Sequence, residues 1–121
     1  MILVDTSVWA DHFNRAELHL VALNCDKKTV MHPFVIGELV AGNLRSWDRT
    51  LAALRLVPSA PVVDDDAYYS FIAAYQLMGT GLSFVDLHLL ASAVHASALL
   101  WTRDKRLKAT ASRLGCSYAK D

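Results

Sequence analysis

Met1-Ile2-Leu3-Val4-Asp5-Thr6-Ser7-Val8-Trp9 changes character halfway along. Ile2 to Val4 is a short aliphatic run that reads as a strand, and Asp5, Thr6 and Ser7 are residue types that cap helices. Val8, Trp9 and Phe13 then recur at helical spacing, so the stretch is strand, turn and helix. The same switch appears downstream. Thr29-Val30-Met31-His32 is a β-branched segment stopped by Pro33, a residue suited to the first turn of a helix running to about Gly42. Leu99-Leu100-Trp101-Thr102 is another strand, and Asp104 starts a last helix to about Leu114, with Gly115 as its C-cap. Strands alternating with helices predict an α/β fold, a three-layer α/β/α sandwich with a mostly parallel central sheet. In such sheets, sites form beyond the carboxyl ends of the strands.

Between these units, Glu17 to Leu23 continues helically, and Ser46 to Leu54 reads as a helix followed by Arg55-Leu56-Val57 as a possible short strand. Val57 to Pro61 is a loop. Asp64-Asp65-Asp66 caps a helix to about Met78, and Ser83 opens a helix that is apolar nearly all round, which belongs in the middle of a domain. Ser117-Tyr118 suggests a short tail strand. A length of 121 residues fits one domain, 1–121, and 54% hydrophobic residues exclude a disordered chain. Lys and Arg number 12, as do Asp and Glu, so net charge gives no global pull toward nucleic acid and any such affinity is local. Cys25 and Cys116 stand far apart with no zinc-type spacing, which argues against a disulfide framework or a structural zinc site. With no membrane-length apolar run and no basic leader, the expected location is the cytoplasm.

Ten of the acids are Asp and only Glu17 and Glu38 are Glu, although Glu is the better helix former. Three of the Asp explain part of this excess. Asp5 follows the first strand, Asp104 follows the strand at Leu99, and Asp86 lies in the first turn of the central helix in a Ser83-x-x-Asp86 capping pattern. Capping is one use for each. Glu38 sits mid-helix among Phe34, Val35 and Ala41, an apolar face on which a carboxylate needs a partner. Acids converging from four strand-helix units repel one another unless a cation joins them, and oxygen-only ligands select Mg²⁺ or Mn²⁺ over zinc. Such ions activate water and stabilise a phosphodiester transition state.

The segments Ile2-Leu3-Val4-Asp5-Thr6-Ser7, Val35-Ile36-Gly37-Glu38-Leu39, Gly81-Leu82-Ser83-Phe84-Val85-Asp86 and Trp101-Thr102-Arg103-Asp104-Lys105-Arg106-Leu107 together resemble PIN-domain ribonucleases, closest to the VapC-type toxins of bacterial toxin–antitoxin pairs. The resemblance covers the whole chain. It implies that Asp5, Glu38, Asp86 and Asp104 are the catalytic acids, that Asp5, Asp86 and Asp104 bind metal, and that Thr6 and Thr102 are supporting hydroxyls. It further implies an RNA substrate, a cognate antitoxin and a homodimer. Leu107 departs from the aromatic residue many members carry, which touches packing and not the acids.

Arg103, Lys105 and Arg106, with Lys108 close by, offer a rim that could hold RNA phosphates, or simply a solvated helix face. His88 and His95 read as core or interface residues rather than ligands, and Asp64 to Asp66 as a wet cap. Tyr68, Tyr69, Phe71 and Tyr75 read as packing residues, while Trp9, His12 and Phe13 are a candidate partner contact. Asp5-Thr6-Ser7 lacks the second acid that an aspartyl-phosphate phosphotransferase places two residues after its nucleophile. The non-enzymatic alternative is a PIN-like scaffold that binds RNA or a partner without cutting.

Overall fold

The computed structural model describes residues 1–119. The first aliphatic run becomes β1 (Ile2–Val4), the middle of a three-stranded sheet in which β2 (Thr29–Val30) and β3 (Leu99–Trp101) both lie parallel to it, in the order β2-β1-β3. Ile2 pairs with Thr29 on one side and Leu99 on the other, and Val4 pairs with Trp101. Ile2, Leu3 and Val4 are all buried. Successive strand residues point to opposite faces, so burial of all three means both faces are covered, as the three-layer expectation requires.

The covering helices are α1 (Thr6–Asn14), α2 (Leu18–Cys25), α3 (Pro33–Val40), α4 (Trp47–Arg55), α5 (Asp65–Ala74), α6 (Phe84–His95) and α7 (Lys105–Arg113). Helix α6 is the buried one. His88 to Ala93 are all inaccessible, which explains a helix with almost no polar face. Val8, Leu20, Val35, Leu90 and Leu107 join the strands in one core. Both cysteines are free, and no described helix is long and apolar enough to cross a membrane.

Three local expectations are corrected. Arg55-Leu56-Val57 is no strand: α4 runs to Arg55, Leu56 and Val57 turn back onto Ala53 and Leu54, and Leu56 is 85% exposed. The place beside Met31 goes to Ser59 instead, through Met31 N–H to Pro58 C=O and Ala60 N–H to Met31 C=O, both 2.7 Å. The tail strand is a single bridge from Ser117 to Leu100. Helix α5 stops at Ala74 because Gln76 takes a left-handed conformation (φ 54°) and Leu77 N–H returns to Ile72 C=O at 3.0 Å, a helix-ending pair of bonds that usually uses glycine.

Candidate active site

Because β1 and β3 run parallel, their carboxyl ends emerge at the same edge, carrying Asp5 from one and Thr102, Arg103 and Asp104 from the other. Asp5 is buried and stands at the N-cap position of α1, yet its side chain makes no cap bond. Its Oδ2 accepts instead from Thr102 Oγ1 at 2.7 Å and Ser7 Oγ at 2.8 Å. Each hydroxyl has one proton, so with both directed at Asp5 the 3.4 Å contact between Ser7 and Thr102 holds no hydrogen bond, and both oxygens can accept. Ser7 Oγ accepts Arg103 N–H at 3.0 Å and Thr102 Oγ1 accepts Asp104 N–H at 3.1 Å. Two backbone amides thus orient two hydroxyls, which orient one oxygen of Asp5.

The other acids arrive from separate elements. Glu38 is exposed and has the partner that an acid beside an apolar face needs. Val35 is buried but Gly37 and Ala41 are open to solvent, so Glu38 lies at the edge of the apolar stripe, where its Oε1 accepts from Thr6 Oγ1 at 2.5 Å. Asp86 and Ser83 form the expected capping box, Asp86 N–H to Ser83 Oγ at 3.1 Å and Ser83 N–H to Asp86 Oδ2 at 3.4 Å. Asp104 caps α7, its Oδ1 accepting Leu107 N–H at 2.9 Å. Capping therefore does not exclude a second use. In all four carboxylates one oxygen is held by the protein, and the other has no hydrogen-bond partner among the described residues.

Asp86 registers its neighbours electrostatically. Burial pushes its carboxyl above the ordinary 3.8, the charges of Asp5 and Asp104 push the same way, and the Ser83 hydrogen bonds oppose them. Three acids from three elements share one field. As they stand, no three His, Cys, Asp or Glu side chains among the described residues close on a single ion-sized position.

The basic residues divide. Lys105 and Arg106 are exposed, and Arg106 Nη1 reaches Gly81 C=O at 3.4 Å. Arg103 is half-buried and paired with Asp11 at 2.9 Å and Glu17 at 2.5 Å, with its guanidinium carbon 5.8 Å from the Trp101 ring centre. His88 is no ligand to this edge: it is buried among rings, stacked on Tyr68 at 4.3 Å and edge-on to Phe34 and Phe84. Burial lowers its pKa, and lowers that of the equally buried His32 to about 4. His95 is exposed and bonds Ala91 C=O. Phe71 is buried, Tyr69 is exposed, and in the α1 trio Trp9 is buried while Phe13 is 38% exposed. Sequence reasoning missed Ser7 as part of the site. Its one signal was a hydroxyl two residues after Asp5 in a capping run.

Comparison with known proteins gives consistent results. The sequence model of the family described as PIN domain matches residues 2–113. The chain is 43% identical over 122 residues to Ribonuclease VapC32 of Mycobacterium tuberculosis, in both strain CDC 1551 / Oshkosh and strain ATCC 25618 / H37Rv, covering all of this chain and 98% of the relative. Two solved structures share the fold at lower identity. FitAcB from Neisseria gonorrhoeae superposes with a TM-score of 0.58 at 19% identity, covering 93% of this chain and 94% of that one. PAE2754 from Pyrobaculum aerophilum gives 0.56 at 20% identity, covering 90% and 83%.

Proposed function

This chain belongs to the PIN-domain family, among its VapC-type ribonucleases, and on that premise we propose that it is a metal-dependent endoribonuclease cutting RNA phosphodiesters as the toxin of a toxin–antitoxin pair. The observation that carries the reading is that Asp5, Asp86 and Asp104 come from three elements into one field, where burial first and then the charges of Asp5 and Asp104 raise the Asp86 carboxyl, a cost that a cation would relieve. Their donor chemistry fits. Carboxylate oxygens, each acid with one oxygen uncommitted, suit a hard ion such as Mg²⁺ or Mn²⁺. In this reading Asp5, Asp86 and Asp104 hold the metal and Glu38 completes the catalytic acids from α3. When bound, the ion lowers the pKa of a water for in-line attack and neutralises charge developing on the phosphate.

The chain's own residues do the positioning. Ser7 and Thr102 fix the direction of Asp5, Thr6 fixes Glu38, and Ser83 fixes Asp86. Lys105 and Arg106, exposed beside Asp104, hold RNA phosphates and supply the local attraction that zero net charge withholds. The same reading makes residues 1–121 one domain, supported by a core that runs from Ile2 to Cys116. It also gives the protein a cytoplasmic location, a cognate antitoxin and a homodimeric state, the last supported by exposed Tyr69, Met78 and Phe84.

The test is RNA cleavage with Mg²⁺ or Mn²⁺ and with EDTA, comparing wild type with Asp5→Asn and Asp86→Asn. Cleavage is expected only with metal and only in wild type. Activity that persists in EDTA or in either variant refutes the mechanism, and a scaffold that binds without cutting would retain RNA in all three proteins and cleave in none.

A further inference from the structure

We infer that Arg103 is a positioning residue for Asp5 and not a contact for the RNA backbone, an inference that rests on the metal-dependent nuclease reading above. Its guanidinium fork is divided between two acids: Nη1 donates to Asp11 Oδ2 at 2.9 Å and Nη2 to Glu17 Oε2 at 2.5 Å. Asp11 lies on α1, and Glu17 stands at the start of α2, where its other oxygen accepts His19 N–H at 3.2 Å and its own N–H donates to His12 Nδ1 at 3.0 Å. The fork is therefore anchored on a frame that is itself tied down. Both Nη groups of the fork are thus directed at carboxylates of the protein and away from a phosphate-holding role.

The backbone of the same residue faces the other way. Arg103 N–H donates to Ser7 Oγ, and Ser7 Oγ donates to Asp5 Oδ2. Thr102 before it and Asp104 after it complete the parallel path, Asp104 N–H to Thr102 Oγ1 to the same Asp5 oxygen. Anchoring the Arg103 side chain thus fixes the two peptides on either side of it, which aim the two hydroxyls and through them hold one oxygen of Asp5 in place. Arginine suits this place because a planar fork can serve two acids at once, whereas lysine offers a single point charge.

Two measurements on the full chain separate this role from phosphate binding: Mn²⁺ affinity by titration calorimetry without RNA, and steady-state RNA cleavage across a salt series. For Arg103→Ala, Mn²⁺ affinity and kcat should each fall about 10–100-fold, the usual cost of removing support from a metal ligand. KM and the salt slope should not move. Arg103→Lys should fall between that variant and wild type. The pair Asp11→Asn with Glu17→Gln, which removes both of these carboxylates, should also lower kcat and Mn²⁺ affinity. The inference is overturned if Arg103→Ala keeps its Mn²⁺ affinity and kcat while KM rises and the salt slope drops by about one phosphate. It is equally overturned if the Asp11→Asn, Glu17→Gln pair tightens RNA binding with kcat unchanged. Circular dichroism checks folding, and should Arg103→Ala not fold, Arg103→Lys and the acid pair decide by the same criteria. Absence of cleavage in wild type would refute the nuclease reading, while the Mn²⁺ affinities would still decide the role of Arg103.

Discussion

Two groups of three acids stand in sharp contrast. Asp64, Asp65 and Asp66 are consecutive, exposed and at the start of α5, where Asp64 accepts Ala67 N–H at 2.8 Å. Asp5, Asp86 and Asp104 are scattered along the chain, yet two of them shift the titration of the third. Adjacent residues on a helix turn through about 100° from one to the next, so neighbouring acids diverge into solvent. Acids at the ends of parallel strands and in the first turn of another helix come from distant positions into one another's field. Charge density along a sequence is thus a poor guide to charge density in space.

The contrast can be broken most directly at Asp5. Asp5→Asn should lose cleavage to background, whereas replacing Asp64, Asp65 and Asp66 together with Asn should leave the cleavage rate unchanged; a triple variant as inactive as Asp5→Asn would erase the distinction. Next in size is Ser7→Ala. It removes one of two hydroxyls aiming Asp5 and should lower activity about 10–100-fold, measured as kcat with saturating metal. An unchanged kcat would show that Thr102 suffices.

Asp86 sharpens the comparison through pH. A carboxyl whose folded pKa is raised favours the fold when protonated, below the unfolded value, and that contribution is lost as pH rises through the folded value. Asp86→Asn should therefore melt at a higher temperature than wild type in EDTA at pH 7, with the gap narrowing as pH falls. A variant that melts lower at pH 7 contradicts repulsion at this site. The smallest effect belongs to Asp64→Ala, which should cost about 1 kcal/mol in urea unfolding as a lost helix cap and leave cleavage intact.

Much of this was legible in the sequence because it is local. The switches at Val4–Asp5, His32–Pro33 and Thr102–Asp104 are changes of hydrophobic period with capping residues at the break, and the strands and helices begin there. Asp5, Asp86 and Asp104 were found by their position at such breaks, and Thr6 and Thr102 by standing beside acids in the family pattern. Other features depended on distant partners. Ser7 looked like any capping serine, since its partner Arg103 lies 96 positions away. Arg103 read as part of a basic run because Asp11 and Glu17 come from the other end of the chain. The exposure of Glu38 was not legible because helical spacing names its neighbours without saying which of them the fold covers. Arg55 to Val57 has strand-forming residues but lost its place in the sheet to Ser59, a competition that local propensity does not register.

The central strand, residues 2–4, leads directly into Asp5, while the hydroxyl that orients Asp5 belongs to a residue 97 positions later. Closing a loop of that length costs chain entropy before any contact repays it. A chain in which these segments have not met carries Asp5 and Glu38 but lacks the contact that aims the first. The topology therefore ties the aim of Asp5 to folding itself: the acid is oriented only once segments 97 positions apart have met.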